Sequence, residues 1–499
     1  MKFSKINLKM MKKLIISFTI LLGLFFTSCE DMLVESPKSL VVEDFYNTPA
    51  EVEAAIAAII APARGRLSGW WISTLDSHTE WGHGNNDFGV TSGSTFTGNF
   101  GSFRLMQGLD AVGAANVEPN WNAFYQGIRN ANLVIANVPE SEQLSQEQKD
   151  IYVAEARFFR AFFYFQLVRP WGGVPLYTEN NLDQTTGAPK ATAESVYNLI
   201  TDDLEFAENN LPDSPPVLGR ASTWTAKTLL ADVYFFQHRH SEAADKAREV
   251  IESGNFSLEV INELDDFYNL FGLDASSDEE IFYIKYNQNS TSGLMVFTQA
   301  IDNEGWFGSP GFGIFPWRAE SVFYSNWDDD DLRKHWNWYE TANQPDPGVT
   351  ALQPKKYNAP GATSSTFDLP AYRYADVLLI YAEASARVAD APTVDGMEML
   401  NMVHRRAYGY SPNQSSPVDL DITDYNLDTF IDRVIQERGY EFQFEGKRWF
   451  DLVRAGVADE IMMESIGRGV NDTALLWPIP SIEFDLNEAM DPSDQNPGY

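Results

Sequence analysis

One stretch limits what this chain can fold into more than any other: Ile151–Leu176, IYVAEARFFRAFFYFQLVRPWGGVPL. Wound as a helix, Ile151, Ala154, Phe158, Ala161, Phe162, Phe165 and Val168 share one face. Ala156, Phe159, Phe163 and Leu167 add a second apolar flank, leaving a narrow strip with Arg157, Arg160 and Tyr164. A helix apolar on nearly every side belongs inside a large core. Its arginines then require carboxylates from elsewhere, because a lone buried charge is too costly. The Glu437/Glu441/Glu445 ladder supplies natural partners for Arg157 and Arg160. Pro170 is expected to end the helix, and Gly172-Gly173 with Pro175 to turn the chain.

The remaining chain provides enough material for such a core. It has 499 residues, 44% of them hydrophobic and 13% aromatic. Residues 1–28 hold five lysines and no acids, so the remainder carries 31 Lys+Arg against 71 Asp+Glu. That surface repels nucleic acid and anionic lipid and disfavours polyanionic ligands. The start reads as an export signal: Lys2, Lys5, Lys9, Lys12 and Lys13, then the apolar run Leu14–Phe26, too short for the ~20 residues that span a bilayer. Phe26-Thr27-Ser28-Cys29 resembles a bacterial lipobox, with Phe26 where the pattern prefers Leu. Cys29 is the single cysteine, so no intramolecular disulfide is available and lipidation occupies the thiol. Glu30-Asp31 resembles a surface-export signal. The expected organisation is a signal peptide at 1–28, a lipid-anchored tether at 29–40 and the folded domain at 41–499.

Helical pairs dominate the pattern. Thr48 and Pro49 start one helix, EVEAAIAAII. Trp121–Val138 is a second, Thr223–Gln237 and Ser241–Ser253 form a pair near the ~34-residue tetratricopeptide length, and Tyr372–Ala386 with Val394–Arg406 forms another. Ser241 is the expected cap of its helix and Gly254 its C-terminal glycine. Two regions lack helical period and read as loop-rich: about 61–120 and 256–370, the second with short strands such as Glu280–Tyr286. The fold class is mainly α, tetratricopeptide-like helix pairs with a large loop-rich insertion.

The block Ile151–Leu176, together with Ile435–Gly456 (IQERGYEFQFEGKRWFDLVRAG), Trp477-Pro478-Ile479-Pro480 and Gln495-Asn496-Pro497-Gly498-Tyr499, closely resembles the SusD/RagB family of surface nutrient-binding lipoproteins. The resemblance covers both ends and the middle of the chain. It implies four tetratricopeptide-like helix pairs with a loop-rich lobe. It also implies a lipoprotein at the outer membrane that captures oligosaccharide or polysaccharide and acts as lid of a TonB-dependent (SusC-like) transporter. The RagB branch implies peptide as the alternative ligand. A surface glycoside hydrolase and a protein-binding helical adaptor are the rivals from other classes.

Catalytic and cofactor motifs are missing. No GxSxG, Walker or dinucleotide pattern occurs. Glu437, Glu441 and Glu445 recur every four residues beside arginines, which reads as ion pairing rather than a glycosidase carboxyl pair. His78, Glu80 and His83 lack metal-ligand spacing. Asp328–Asp331 lacks the alternation of a calcium loop. No cofactor or metal is expected, and no catalytic residue. Binding is assigned instead to tryptophans in turn-rich sequence, because a flat ring covers the apolar face of a sugar while polar neighbours take its hydroxyls. The expected glycan platform is Trp70, Trp81, Trp306 and Trp317, with Asp76, Asn85 and Arg318 as hydroxyl partners and a neutral glycan favoured.

Overall fold

The computed structural model describes residues 45–81, 102–103, 106–182, 186–215, 217–273, 275–287, 289–293, 317–318, 322–341, 351–357 and 365–499. Cys29, His83, Asn85 and Trp306 lie outside these, as do the expected signal peptide and tether. The described chain is mainly helical. α1 (Pro49–Arg64) starts as expected, with Thr48 and Glu51 forming a reciprocal capping box and Pro49 in the first turn. α2 (Gly69–Asp76) and the first turns of α3 (Ala111–Asn137) fall where loop was expected. The α3 start is set by Asp110, whose carboxylate accepts the Gly113 N–H at 2.8 Å. Gly113 and Pro119 had masked its period.

α4 (Gln146–Trp171) is the central helix, capped by Ser145 and Gln148. From Tyr152 to Trp171 every residue except Arg157 and Arg169 is buried. It runs one residue past Pro170, because proline in a last turn forfeits a single hydrogen bond. Gly172, at φ +70°, then reverses the chain. α3 lies close against α4: a Cβ on Gly127 would sit 2.4 Å from the Phe163 ring.

Each later helix packs on its predecessor. α5 (Ala193–Asn210) lies on α4, α6 (Thr223–Phe236) on α5, α7 (His240–Glu252) on α6, α8 (Tyr374–Ala389) on α7, and α9 (Val394–Ala407) on α8. This is a stack of antiparallel pairs of the expected kind. α7 starts one residue early, so Ser241 is inside the helix and not its cap. α10 (Leu427–Glu441) returns onto α8 and α9, α11 (Arg448–Ala455) onto α2 and α10, and α12 (Ala458–Ile466) onto α11.

Two small sheets occur. β1 (Glu280–Ile284) pairs antiparallel with β5 (Leu369–Arg373), and β2 (Trp317–Arg318), β3 (Trp338–Thr341) and β4 (Ala351–Pro354) order as β2-β4-β3. β1 docks the first sheet on α4: Phe282 meets Phe158, Phe159 and Phe162 at 5.3–6.2 Å. The C-terminal motif locks the other end of α4. Asn496 donates to the Trp171 and Trp477 carbonyls at 2.8 and 2.7 Å, and the Trp477 N–H donates to Pro170.

Candidate functional site

The C-terminal glutamate ladder holds a buried ion cluster together. Glu437 and Glu441 project from α10, and Glu445 from the turn after it. Arg333 contacts Glu437 at 2.7 Å and Glu441 at 3.0 Å. Arg373 contacts Glu279, Glu441 and Glu445 at 2.5, 2.8 and 2.7 Å. Arg406 bridges Glu279 and Glu441, and Lys356 reaches Glu445 at 2.7 Å. Burial alone would raise Glu445, yet Arg373 and Lys356 bring it down to about 2. Glu437 and Glu441 are likewise held low by the cations around them against their own burial. A glycosidase acid needs the opposite shift. The ion-pair reading of this ladder is therefore right, but its partners differ from the expected Arg157 and Arg160. Arg160 forks onto Asp203 with two 2.7 Å bonds and reaches Glu179 at 2.5 Å; Arg157 lies over Phe206.

The residues expected at a ligand surface divide into three groups. Trp81 and Asp76 are buried, at 0% and 1% exposure, so neither faces a ligand. Burial raises the Asp76 carboxyl well above its usual range, and the Trp81 indole lies beside it without closing a hydrogen bond. Trp70 sits in α2, and Trp317 and Arg318 form β2; these three are placed by their backbone. Trp306 and Asn85 fall outside the described residues. The neighbouring motifs are also structural. Glu80 pairs with Arg448 at 2.6 Å. His78, neutral with its pKa lowered to about 3 by burial, stacks on Trp449 and accepts the Trp477 indole N–H at 3.2 Å. Asp331 caps the short helix 332–337 and binds Arg333, while Asp329 binds Lys334. Among the described residues no acid–histidine group has the make-up of a metal site.

One contact joins described residues of the two regions expected to be loop-rich. The Trp81 ring lies 5.3 Å from that of Phe323. In sequence, Trp81 lies within the expected loop-rich region 61–120 and Phe323 within 256–370. Arg448 holds this junction, bound to Glu80 and set 5.7 Å from the Phe323 ring. Beside the junction opens a groove of about 460 Å³, lined by Phe323, Asn326, Tyr425, Gln436 and Tyr440, with Asp432 and Glu460 on its rim. Tyr440 is fixed by stacking on Trp327 at 4.4 Å. Three tryptophans of the lobe, Trp327, Trp336 and Trp338, are packing residues. These groove residues were missed. Their signal was the second α10 face, Asp432/Gln436/Tyr440, offset by one position from the Arg433/Glu437/Glu441 stripe that turns inward. An open groove with amides and tyrosine edges can hydrogen-bond hydroxyl-rich ligands.

Comparison with known proteins agrees with this architecture. A family model described as "SusD family" matches residues 317–499, and one described as "Starch-binding associating with outer membrane" matches residues 74–235. The chain is 27% identical to SusD-like protein P38 of Formosa agariphila, over 95% of this chain and 97% of the relative. It is 28% identical to SusD-like protein P2 of the same organism, over 98% and 100%. Among solved structures, a SusD homolog from Bacteroides thetaiotaomicron superposes with a TM-score of 0.71 at 22% identity, covering 92% of this chain and 98% of that one. A structure described as a laminarin-binding SusD-like protein gives a TM-score of 0.71 at 22% identity, covering 91% and 100%. With its central helix, its glutamate ladder and its C-terminal lock all in matched segments, the chain belongs to the SusD/RagB family.

Proposed function

We propose that this protein is a non-catalytic, cell-surface glycan-binding lipoprotein that delivers oligosaccharide or polysaccharide to a TonB-dependent outer-membrane transporter. The observation that carries the reading is the Trp81–Phe323 contact, which joins the two aromatic loop regions beside an open groove. The ligand platform is assigned to Trp70, Trp306, Trp317, Asn85 and Arg318, together with Asn326, Tyr425 and Gln436 of the groove. Trp81 and Asp76, being buried, serve as packing residues. Relatives of the same fold include a surface glycan-binding protein from Bacteroides thetaiotaomicron in complex with laminarihexaose, which supports a sugar ligand over a peptide. The acids on the groove rim favour a neutral glycan over uronates or sulfates. No helix among the described residues is long and apolar enough to cross a membrane. Residues 1–28 serve as signal, Cys29 as lipid attachment within a tether at 29–40, and 41–499 as the binding domain.

A glycan array probed with the full chain in mild detergent tests the ligand, with Asn326→Ala/Gln436→Ala as control. Specific neutral-glycan binding that drops at least fivefold in the variant is the expected result. Binding to peptides alone, or cleavage of the glycan, would defeat the reading. Co-purification with a TonB-dependent transporter tests delivery; a lipoprotein that is always solitary would remove that half.

A further inference from the structure

A second cleft, of about 340 Å³, opens on the helical side of the molecule. Its floor is one face of α3, carrying Trp121, Asn122, Tyr125 and Arg129. Its far wall is the segment 177–182 that follows the turn after α4, and Glu483 closes one end. Eight residues of helix separate Trp121 from Arg129, so the trough runs about 12 Å. Its volume lies in the range of ~300–1,000 Å³ usual for ligand sites.

The far wall is rigid although it is a loop. The Tyr164 hydroxyl accepts the Tyr177 N–H at 2.7 Å and donates to the Tyr177 carbonyl at 3.0 Å. Asn132 donates to that carbonyl too, at 3.0 Å. Thr178 and Asn181 cap each other, and the buried Arg160 holds Glu179. The buried cation of the central helix thus fixes a surface wall before any ligand arrives, which lowers the ordering cost of binding.

The chemistry of the trough points to sugar. Tyr125 and Tyr177 are half-buried and meet edge to face at 5.8 Å, forming an apolar corner. The Tyr125 hydroxyl is committed to the Pro175 carbonyl at 2.9 Å, so its ring surface is what remains to contact a ligand. At one end Glu483 accepts from the Trp121 indole and from Asn487 and keeps lone pairs for hydroxyls. Along the floor Asn122 and Arg129 are exposed donors. One cation and one carboxylate leave the cleft without a net charge to select an ion. An extended peptide would need open backbone groups along a wall. Here the carbonyls of Pro175, Leu176 and Tyr177 are already filled by Tyr125, Asn181 and Asn132.

We propose that this trough is a second saccharide-binding site, taking about two units of a neutral oligosaccharide and acting independently of the loop groove. Titration calorimetry of the full chain in detergent against maltohexaose, laminarihexaose, cellohexaose, xylohexaose and mannohexaose tests it. Asn122→Ala/Arg129→Ala should weaken one class of sites at least tenfold for a bound member and leave the other within twofold. Trp317→Ala should do the reverse, and Asn122→Gln should retain most of the affinity. Both floor side chains are exposed, so the double variant should melt within a degree of the parent. A folded double variant that binds every hexasaccharide with unchanged stoichiometry and affinity overturns the proposal. So does loss of both classes together, or binding of peptides at the trough with no saccharide.

Discussion

Arg373→Met removes one cation from a buried cluster in which the charges balance. Glu279, Glu437, Glu441 and Glu445 face Arg333, Lys356, Arg373 and Arg406, all buried, and Asp331 and Arg433 add one further charge of each sign. Arg373 alone touches three of the four carboxylates, at 2.5–2.8 Å. Methionine fills similar volume but leaves a net buried negative charge. Breaking a buried pair in this way costs roughly 3–5 kcal/mol. Unfolding entropy of ~2.1 cal/mol/K per residue makes the shift about 1 °C per kcal/mol for a chain of this length, so Tm should fall by about 3–5 °C at pH 7.5. The pH dependence follows from the depressed carboxylates. A folded value below the unfolded one contributes stability above the unfolded pKa, near 4.5, and loses it as pH falls through the folded value, about 2 for Glu445. Without Arg373 the Glu445 carboxyl moves up, so the penalty should shrink between pH 7.5 and pH 4.5. Differential scanning calorimetry across that range is the assay. A Tm loss under one degree, or one that stays constant with pH, would refute the reasoning.

Phe162→Ala should cost about 3–5 kcal/mol, since Phe162 is 3% exposed and packs on Phe158 and Phe282; a melt lowered by under a degree would mean that α4 is not the core. Asp76→Asn should raise Tm at pH 8 and lose that advantage as pH falls toward 4. The folded pKa of Asp76 is raised, so ionisation is penalised above its unfolded value, and an amide never ionises; a Tm gain independent of pH would contradict the assignment. Cys29→Ala should abolish incorporation of a fatty-acid probe without changing the melt, and equal labelling of the variant would remove the lipid anchor.

Much of the scaffold was legible because its signals are local. Thr48-Pro49 marks a helix start by capping chemistry alone, and the unbroken apolar faces of α4 leave it nowhere but the core. Where local signals compete, the reading slipped. Pro170 ends helices in general, yet here the chain keeps helical shape for one more residue, since Trp171 is held through its carbonyl by Asn496 and its indole by Pro478. The ion partners were read only by type. Spacing showed that Glu437 and Glu441 need cations, but which ones arrive depends on the strand and helix ends that carry Arg333, Arg373 and Arg406. The platform was the hardest part. A tryptophan in turn-rich sequence suits a sugar face and a packing role equally, and Trp81 packs. The groove walls Tyr425, Gln436 and Asn326 come from segments that meet only through tertiary contacts.

The most direct test of glycan capture is calorimetric titration of the full chain and of Trp306→Ala/Trp317→Ala with the strongest neutral glycan from the array. The product is checked for chain length by chromatography. Stacking on each ring is worth about 1 kcal/mol. The account predicts binding that barely changes between 50 and 500 mM salt, an affinity loss of at least fivefold in the folded double variant, and a glycan recovered intact. Wild-type affinity in that variant, or shortened glycan in the recovered product, would contradict it.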